Sequence, residues 1–328
     1  MEIFKKIFFI FLFFYCVSFS KSVKFIEKTE LLLDTIFTIK IENVKNGEEI
    51  LDEAFKLVKK FENKLSIFNQ ESEISKLNRY KKLEVSPEIT ELIKKSIYIS
   101  EISDGAFDIT CKPIIDLYRK KSKENKLPSD KEIKDTLKKV GWRKIKINGN
   151  KIILLSGSEI DLGGIAKGFI VDKVYEFLKS RGIKNGIING GGDMYCWGKN
   201  PDGKKWKIGI ENPFQEEKII GIFEITNMGI ATSGNYKRYL RIKNKKIGHI
   251  VNPKTGLPID EIPVSVTVIA PDCTVADGLA TGIFVLGLEK GLDLVNKLEN
   301  IECLIIDKNG KIYKSKNFPS LIFSGANR

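Results

Sequence analysis

The chain has 328 residues, and 42% of them are hydrophobic and spread along its whole length, which argues against disorder. That length leaves room for one large core or two fused halves, since single cores stop growing at roughly 250 to 300 residues. Its 55 Lys and Arg against 42 Asp and Glu give a formal charge of +13, but the lysines are scattered among isoleucines and glutamates without a basic tract. No nucleic-acid partner is expected, while the positive field suits an anionic dinucleotide or an anionic membrane surface.

At the N-terminus, Lys5 and Lys6 precede an apolar run from Ile7 to Val17, followed by the small residues Ser18 and Ser20. This reads as a secretory signal, because the run is shorter than the about 20 residues that span a bilayer comfortably. Residues 1–20 are therefore expected to be a cleaved signal peptide, with an uncleaved membrane anchor as the alternative. Cys16 is a further alternative as a lipid attachment site, although Phe14 and Tyr15 are bulky where a lipoprotein signal carries small residues. Either way the chain is expected to be exported, periplasmic or otherwise extracytoplasmic, and associated with the cytoplasmic membrane. Residues 21–328 contain no visible repeat or Pro/Gly/Ser-rich linker and read as one domain.

"TELLLDTIFTIKIE" from Thr29 alternates as a strand. "EEILDEAFKLVKKFENKL" then places Ile50, Ala54, Val58, Phe61 and Leu65 on one helical stripe. Ser86 with Pro87 opens a helix to about Ser103, and Ser129 with Glu132 forms a capping box for another that stops at Gly141. "KIKINGNKIILL" reads as a hairpin turning at Asn148 and Gly149, and "DLGGIAKGFIVDKVYEFLKSRG" as a glycine turn feeding a helix that ends at Gly182. Strands follow at 206–211, 219–226, 237–247 and 264–270, then helices from near Thr274 and Leu288 and a hairpin at Asn309 and Gly310. This mixture predicts an α+β fold of mostly antiparallel sheets with packed helices, not a doubly wound parallel one. Beyond the signal, Cys111, Cys196, Cys273 and Cys303 lie at no CxxC spacing, so a zinc cluster is unsupported and buried free thiols are expected.

Four segments carry potential chemistry. In "DLGGIAKG" from Asp161, two glycines precede a helix whose first turn holds Lys167, an arrangement that either cradles a phosphate or simply connects a strand to a helix. "INGGGDMY" places Gly190, Gly191 and Gly192 before Asp193, a conformationally expensive run that requires close approach by a ligand or a packed chain. No helix opens there, so a Rossmann fingerprint is excluded. "GHIVNPKTGLP" holds His249, the single histidine, beside a rigid polar turn through Asn252, Pro253, Thr255 and Gly256. "TVADGLATG" sets Asp277 and Thr281 four residues apart on one helix face, hard oxygen donors that suit Mg²⁺, although Asp277 with Thr274 equally fits a helix-capping pattern.

Together with "ENKLSIFNQESEISKLN" from Glu62, "SDGAFDITCKP" from Ser103, "IATSGNYKR" from Ile230 and "ADGLAT" from Ala276, these segments in this order resemble the FAD:protein FMN transferase family, ApbE. The resemblance implies a single catalytic domain over 21–328, built of two T-fold-like halves. It implies an enzyme that binds FAD with Mg²⁺, releases AMP and leaves FMN esterified to a Thr or Ser of a target flavoprotein. The family's metal ligands fall on Asp277, Thr281 and the carbonyl of Gly164. Its flavin-nucleotide contacts fall on Leu33, Phe68, Ala106, Phe107, Asp108, Asp161, Lys167 and Val251. His249 matches the histidine beside the phosphates and is the first choice of general base, with Asp277 second.

Two positions depart from the family pattern: Leu33-Asp34-Thr35 stands where Met-Gly-Thr is usual, and Asn252 where Asp is common. Alternative functions are an FAD pyrophosphatase, with water in place of the protein hydroxyl, and a non-catalytic periplasmic flavin-binding protein.

Overall fold

The computed structural model describes residues 23–215, 218–234, 239–242, 245–259 and 263–323, so the export segment expected at 1–20 lies outside the described residues. The first half carries strands β1 Phe25–Leu32, β2 Thr35–Glu42, β3 Lys82–Glu84, β4 Ile145–Asn148 and β5 Lys151–Leu154. Its helices are α1 Gly47–Leu65, α2 Glu73–Tyr80, α3 Pro87–Ile102, α4 Lys112–Lys123 and α5 Asp130–Leu137. Helix α6, Ala166–Ser180, leads into β6 Gly186–Gly190, β7 Asp193–Trp197, β8 Trp206–Glu211, β9 Ile219–Ile225, β10 Met228–Gly234, β11 Tyr239–Ile242, β12 Lys245–Gly248 and β13 Ser265–Ala270. The chain continues through α7 Cys273–Leu286, α8 Leu288–Val295, β14 Glu302–Ile306, β15 Ile312–Lys314 and β16 Ile322–Phe323. Among the described residues no helix is long and apolar enough to cross a membrane.

Eight strands form one sheet in the order β1-β2-β6-β7-β10-β13-β14-β15, with antiparallel pairing throughout. The α+β, antiparallel expectation is therefore met. Helices α1, α6 and α7 cover one face, where Phe37 and Ile39 of β2 meet Phe55 and Val58 of α1, Phe169 of α6 and Phe284 of α7. On the other face, the small sheet β16-β9-β8 packs Trp206, Ile208 and Phe223 against Ile230, Ile269 and Leu304. Covered on both sides, β13 is buried at every position, although Ser265 to Val268 alternate hydroxyl and apolar side chains; the Thr267 hydroxyl is met by that of Thr232 at 2.9 Å. All four described cysteines are buried and free.

The long alternating stretch from Thr29 is two strands. Leu33 and Asp34 turn between them at φ 56° and 55°, the left-handed region. Aspartate tolerates that conformation better than most residues, so Asp34 can stand where the family has glycine. The expected strand at 237–247 is likewise a hairpin, β11 with β12. Strand β10 escaped the pattern because Gly229, Thr232, Ser233 and Gly234 break its alternation. The capping box at Ser129 and Glu132 is present, but α5 ends at Leu137, ahead of Gly141. The β4-β5 turn falls on Gly149 and Asn150, one residue later than expected.

Two glycines of the 190–192 run answer to β2. A Cβ on Gly190 would lie 2.8 Å from the Phe37 ring, and one on Gly191 would lie 2.3 Å from Thr35 Oγ1. The packed chain demanding this backbone is thus the neighbouring hairpin.

Asp172 of α6 fastens that helix to α7. Its carboxylate accepts from the backbone N–H of Cys273 and of Thr274, both at 2.8 Å, and from the Thr274 hydroxyl. These N–H groups belong to the first turn of α7, which has no intrahelical partners for them. We expect Asp172→Ala to lower unfolding free energy by about 3 kcal/mol in urea denaturation, because it leaves buried donors unpaired, with Asp172→Asn closer to the parent.

Candidate active site

One cleft of about 1350 Å³ runs from Asp277 and Thr281 of α7, past Ile36 of β2, Asn189 of β6 and Thr232 of β10, to Ile208 and Phe223 of the small sheet. Leu33, Phe68, Ala106, Phe107, Asp108, Asp161, Gly164, Lys167, His249, Val251, Asp277 and Thr281 all line it. Residues drawn from six separate stretches of sequence are thereby brought to one place.

The glycine turn before α6 sets the floor. Asp161 accepts from the N–H of Gly163 at 2.9 Å, and its own N–H donates to the carbonyl of Ile109 at 2.8 Å, tying the turn to the segment that carries Phe107 and Asp108. A Cβ on Gly164 would stand 3.1 Å from Thr281 Oγ1 and 3.4 Å from the Phe107 ring. Its absence lets the Gly164 carbonyl approach the Thr281 hydroxyl to 3.5 Å. The Ser233 hydroxyl lies 3.1 Å from the same Thr281 oxygen.

Asp277 is buried, and its Oδ2 accepts from the N–H of Gly168 at 3.0 Å. The capping explanation fails, because Asp272 caps α7 by accepting from Val275 N at 2.8 Å. Burial first, and then the nearby Asp193 carboxylate, push the Asp277 carboxyl well above the usual carboxylate range, against the pull of Lys167. Lys167 is ion-paired with Asp193, a residue only 1% exposed that also accepts from Thr232 N at 3.4 Å. Burial opposes the charge on Lys167, but Asp193 and Asp277 outweigh it and hold the ammonium above its ordinary pKa.

Other positions are more specialised than their sequence suggested. Both carboxylate oxygens of Asp108 are engaged within the protein, by Thr110 N at 2.8 Å, the Thr110 hydroxyl at 2.6 Å and Trp142 N at 2.8 Å. Asp108 therefore shapes the cleft wall through the backbone it anchors. Leu33 is pinned by Glu62, whose Oε1 accepts from Leu33 N at 2.8 Å. Phe68 is 76% exposed at the mouth, with the Arg119 guanidinium 5.8 Å from its ring centroid. His249 is exposed on the rim, ahead of a turn in which Asn252 Oδ1 accepts from Lys254 N at 2.9 Å. Asp193, Glu62 and Arg119 were not singled out from the sequence. Only Asp193 carried a signal, as a carboxylate directly after the three glycines.

The cleft is floored by a glycine turn, a half-buried cation and hard oxygen donors inside an antiparallel α+β shell. A sequence profile described as "ApbE family" matches residues 33–305. An FAD:protein FMN transferase of Haemophilus influenzae is 33% identical over 285 residues, covering 83% of this chain and 82% of that protein. The solved flavin transferase ApbE from Vibrio cholerae superposes with a TM-score of 0.79 at 30% identity, covering 90% of this chain and 98% of that one. The ApbE protein of Thermotoga maritima gives 0.83 at 29% identity with the same coverage of both chains. The chain is an enzyme of the flavin transferase class. It belongs to the ApbE family.

The Lys167–Asp193 pair yields a stability test. Lys167→Met leaves Asp193 buried without its counter-charge and is expected to cost about 3–5 kcal/mol in urea unfolding. Adding Asp193→Asn should recover more than half of that loss, because the stranded charge is then gone.

Proposed function

We propose that this protein is an exported, Mg²⁺-dependent FAD:protein FMN transferase that joins FMN to a Ser or Thr hydroxyl of an acceptor flavoprotein and releases AMP. The observation that carries this reading is the meeting of the Asp277 carboxylate, the Thr281 hydroxyl and the Gly164 carbonyl on the cleft floor beside Lys167. These are all hard oxygen donors, and the position beside Gly164 is one a Cβ would fill. Because Asp277 Oδ2 is occupied by Gly168 N, Oδ1 is the atom left to face a cation. When bound there, Mg²⁺ supplies Lewis-acid charge to the pyrophosphate.

The chain's own residues account for the rest. Lys167, kept charged by Asp193, binds phosphate oxygens. Phe68 and Phe107 offer ring faces to the flavin nucleotide. The acceptor hydroxyl oxygen bonds to the FMN phosphorus, the bond from that phosphorus to the bridging oxygen breaks, and AMP leaves with the electron pair. The hydroxyl proton passes to His249, which stands on the cleft rim and carries the side-chain type suited to that task. Asp277, buried and bonded to Gly168, is the weaker base. Lys5 and Lys6 before the apolar run support export, and residues 21–328 as the catalytic domain.

Incubation of the purified protein with FAD, Mg²⁺ and a flavoprotein acceptor domain is expected to release AMP and raise the acceptor's mass by one FMN ester. AMP with free FMN and an unmodified acceptor would identify a pyrophosphatase, and retained intact FAD a binding protein. Asp277→Ala should reduce turnover on the order of 10²-fold or more, the scale of losing one preorganised charge-stabilising group. Full activity in that variant would remove Asp277 from the metal site.

A further inference from the structure

Strand β8 is the outer strand of the β16-β9-β8 sheet, and among the described strands it pairs with β9 alone. Lys207, Ile208, Gly209 and Ile210 line the cleft one after another. A strand that turns a face to a cavity contributes every second residue, so this run means that β8 meets the cleft along its edge. Such an edge offers unpaired N–H and C=O groups of alternate residues, a template for a further strand. Among the described residues, no backbone hydrogen bond closes it.

The cleft, about 1350 Å³ in volume, is continuous from the floor at Asp277 and Thr281 to the β8 edge. At the β8 end the exposed side chains Lys207 and Lys218 stand on the rim, with Glu211 at the strand's end and Met194 as an apolar floor. The same cleft reaches Thr232 and Ser233, next to Thr281.

We infer that the β8 edge is the docking site of the acceptor: an extended segment of the acceptor protein adds as a strand beside β8, with acidic residues against Lys207 and Lys218, and presents its Ser or Thr hydroxyl to the cleft floor. This rests on the transferase reading. Backbone pairing supplies affinity that is indifferent to acceptor sequence, and the lysines supply charge selection. The edge would thereby be covered during turnover and exposed between turnovers.

The test uses the full chain and the acceptor domain of the FMN-transfer assay. In the double variant Lys207→Glu, Lys218→Glu, the KM for the acceptor is expected to rise about tenfold or more while the KM for FAD stays unchanged, as for reversed rim charges. In hydrogen exchange, an acceptor whose receiving hydroxyl residue is replaced by Ala should protect amides within 207–210 of the unaltered enzyme. Transfer by the unaltered enzyme with an unchanged acceptor KM in the variant and no protection at 207–210 would overturn the docking site and leave the transferase standing. Protection that appears without acceptor and grows with enzyme concentration would assign the edge to a second copy of this chain and also overturn it. Failure of the unaltered enzyme to transfer FMN would remove both readings.

Discussion

Where α6 crosses α7, the two helices approach more closely than any side chain permits. A Cβ on Gly168 would lie 2.2 Å from the carbonyl oxygen of Cys273 and 2.8 Å from the Cβ of Asp277. Backbone therefore touches backbone, and two carboxylates bind across the crossing in opposite directions. Asp172 of α6 reaches the N–H groups that open α7, and Asp277 of α7 receives the N–H of Gly168 near the start of α6. The same contact that joins the helices sets Asp277 beside Lys167 and aligns Thr281 with the Gly164 carbonyl. Site geometry and helix packing are one constraint.

The charge of the cleft floor runs against that of the molecule. A chain with a formal charge of +13 gathers two buried acids, Asp193 and Asp277, around one half-buried cation, Lys167. A buried charge is tolerated when paired and hydrogen-bonded. Asp193 meets this condition through Lys167 and Thr232 N, and the excess acid is Asp277. The exterior and the cleft floor thus carry charge of opposite sign.

The periodic helices and the antiparallel class were legible in the sequence because they depend on local pattern, as in the buried stripe of α1 and the capping box of α5. The turn at Leu33 and Asp34 was not, since Asp34 is a lone turn residue in a stretch whose apolar alternation runs up to it. It is held by Glu62, 29 positions away. The candidate residues were each ambiguous in their own segment. Asp277 fitted a helix cap until Asp272 was found to occupy that role. Asp193 and Arg119 remained hidden because their partners, Lys167 and Phe68, are distant in sequence. What sequence order did preserve was the set of segments, and the fold brings them to one cleft.

The four buried thiols are also chemically quiet. Burial pushes the Cys196 and Cys303 thiols up to about 12, and burial and neighbouring carboxylates raise Cys111 and Cys273 well above the ordinary range. The thiolate is the form that forms disulfides or attacks oxidants. Once folded, these four thiols are therefore withdrawn from disulfide exchange, and Cys273 is closed against the Ile230 carbonyl where α7 packs on β10.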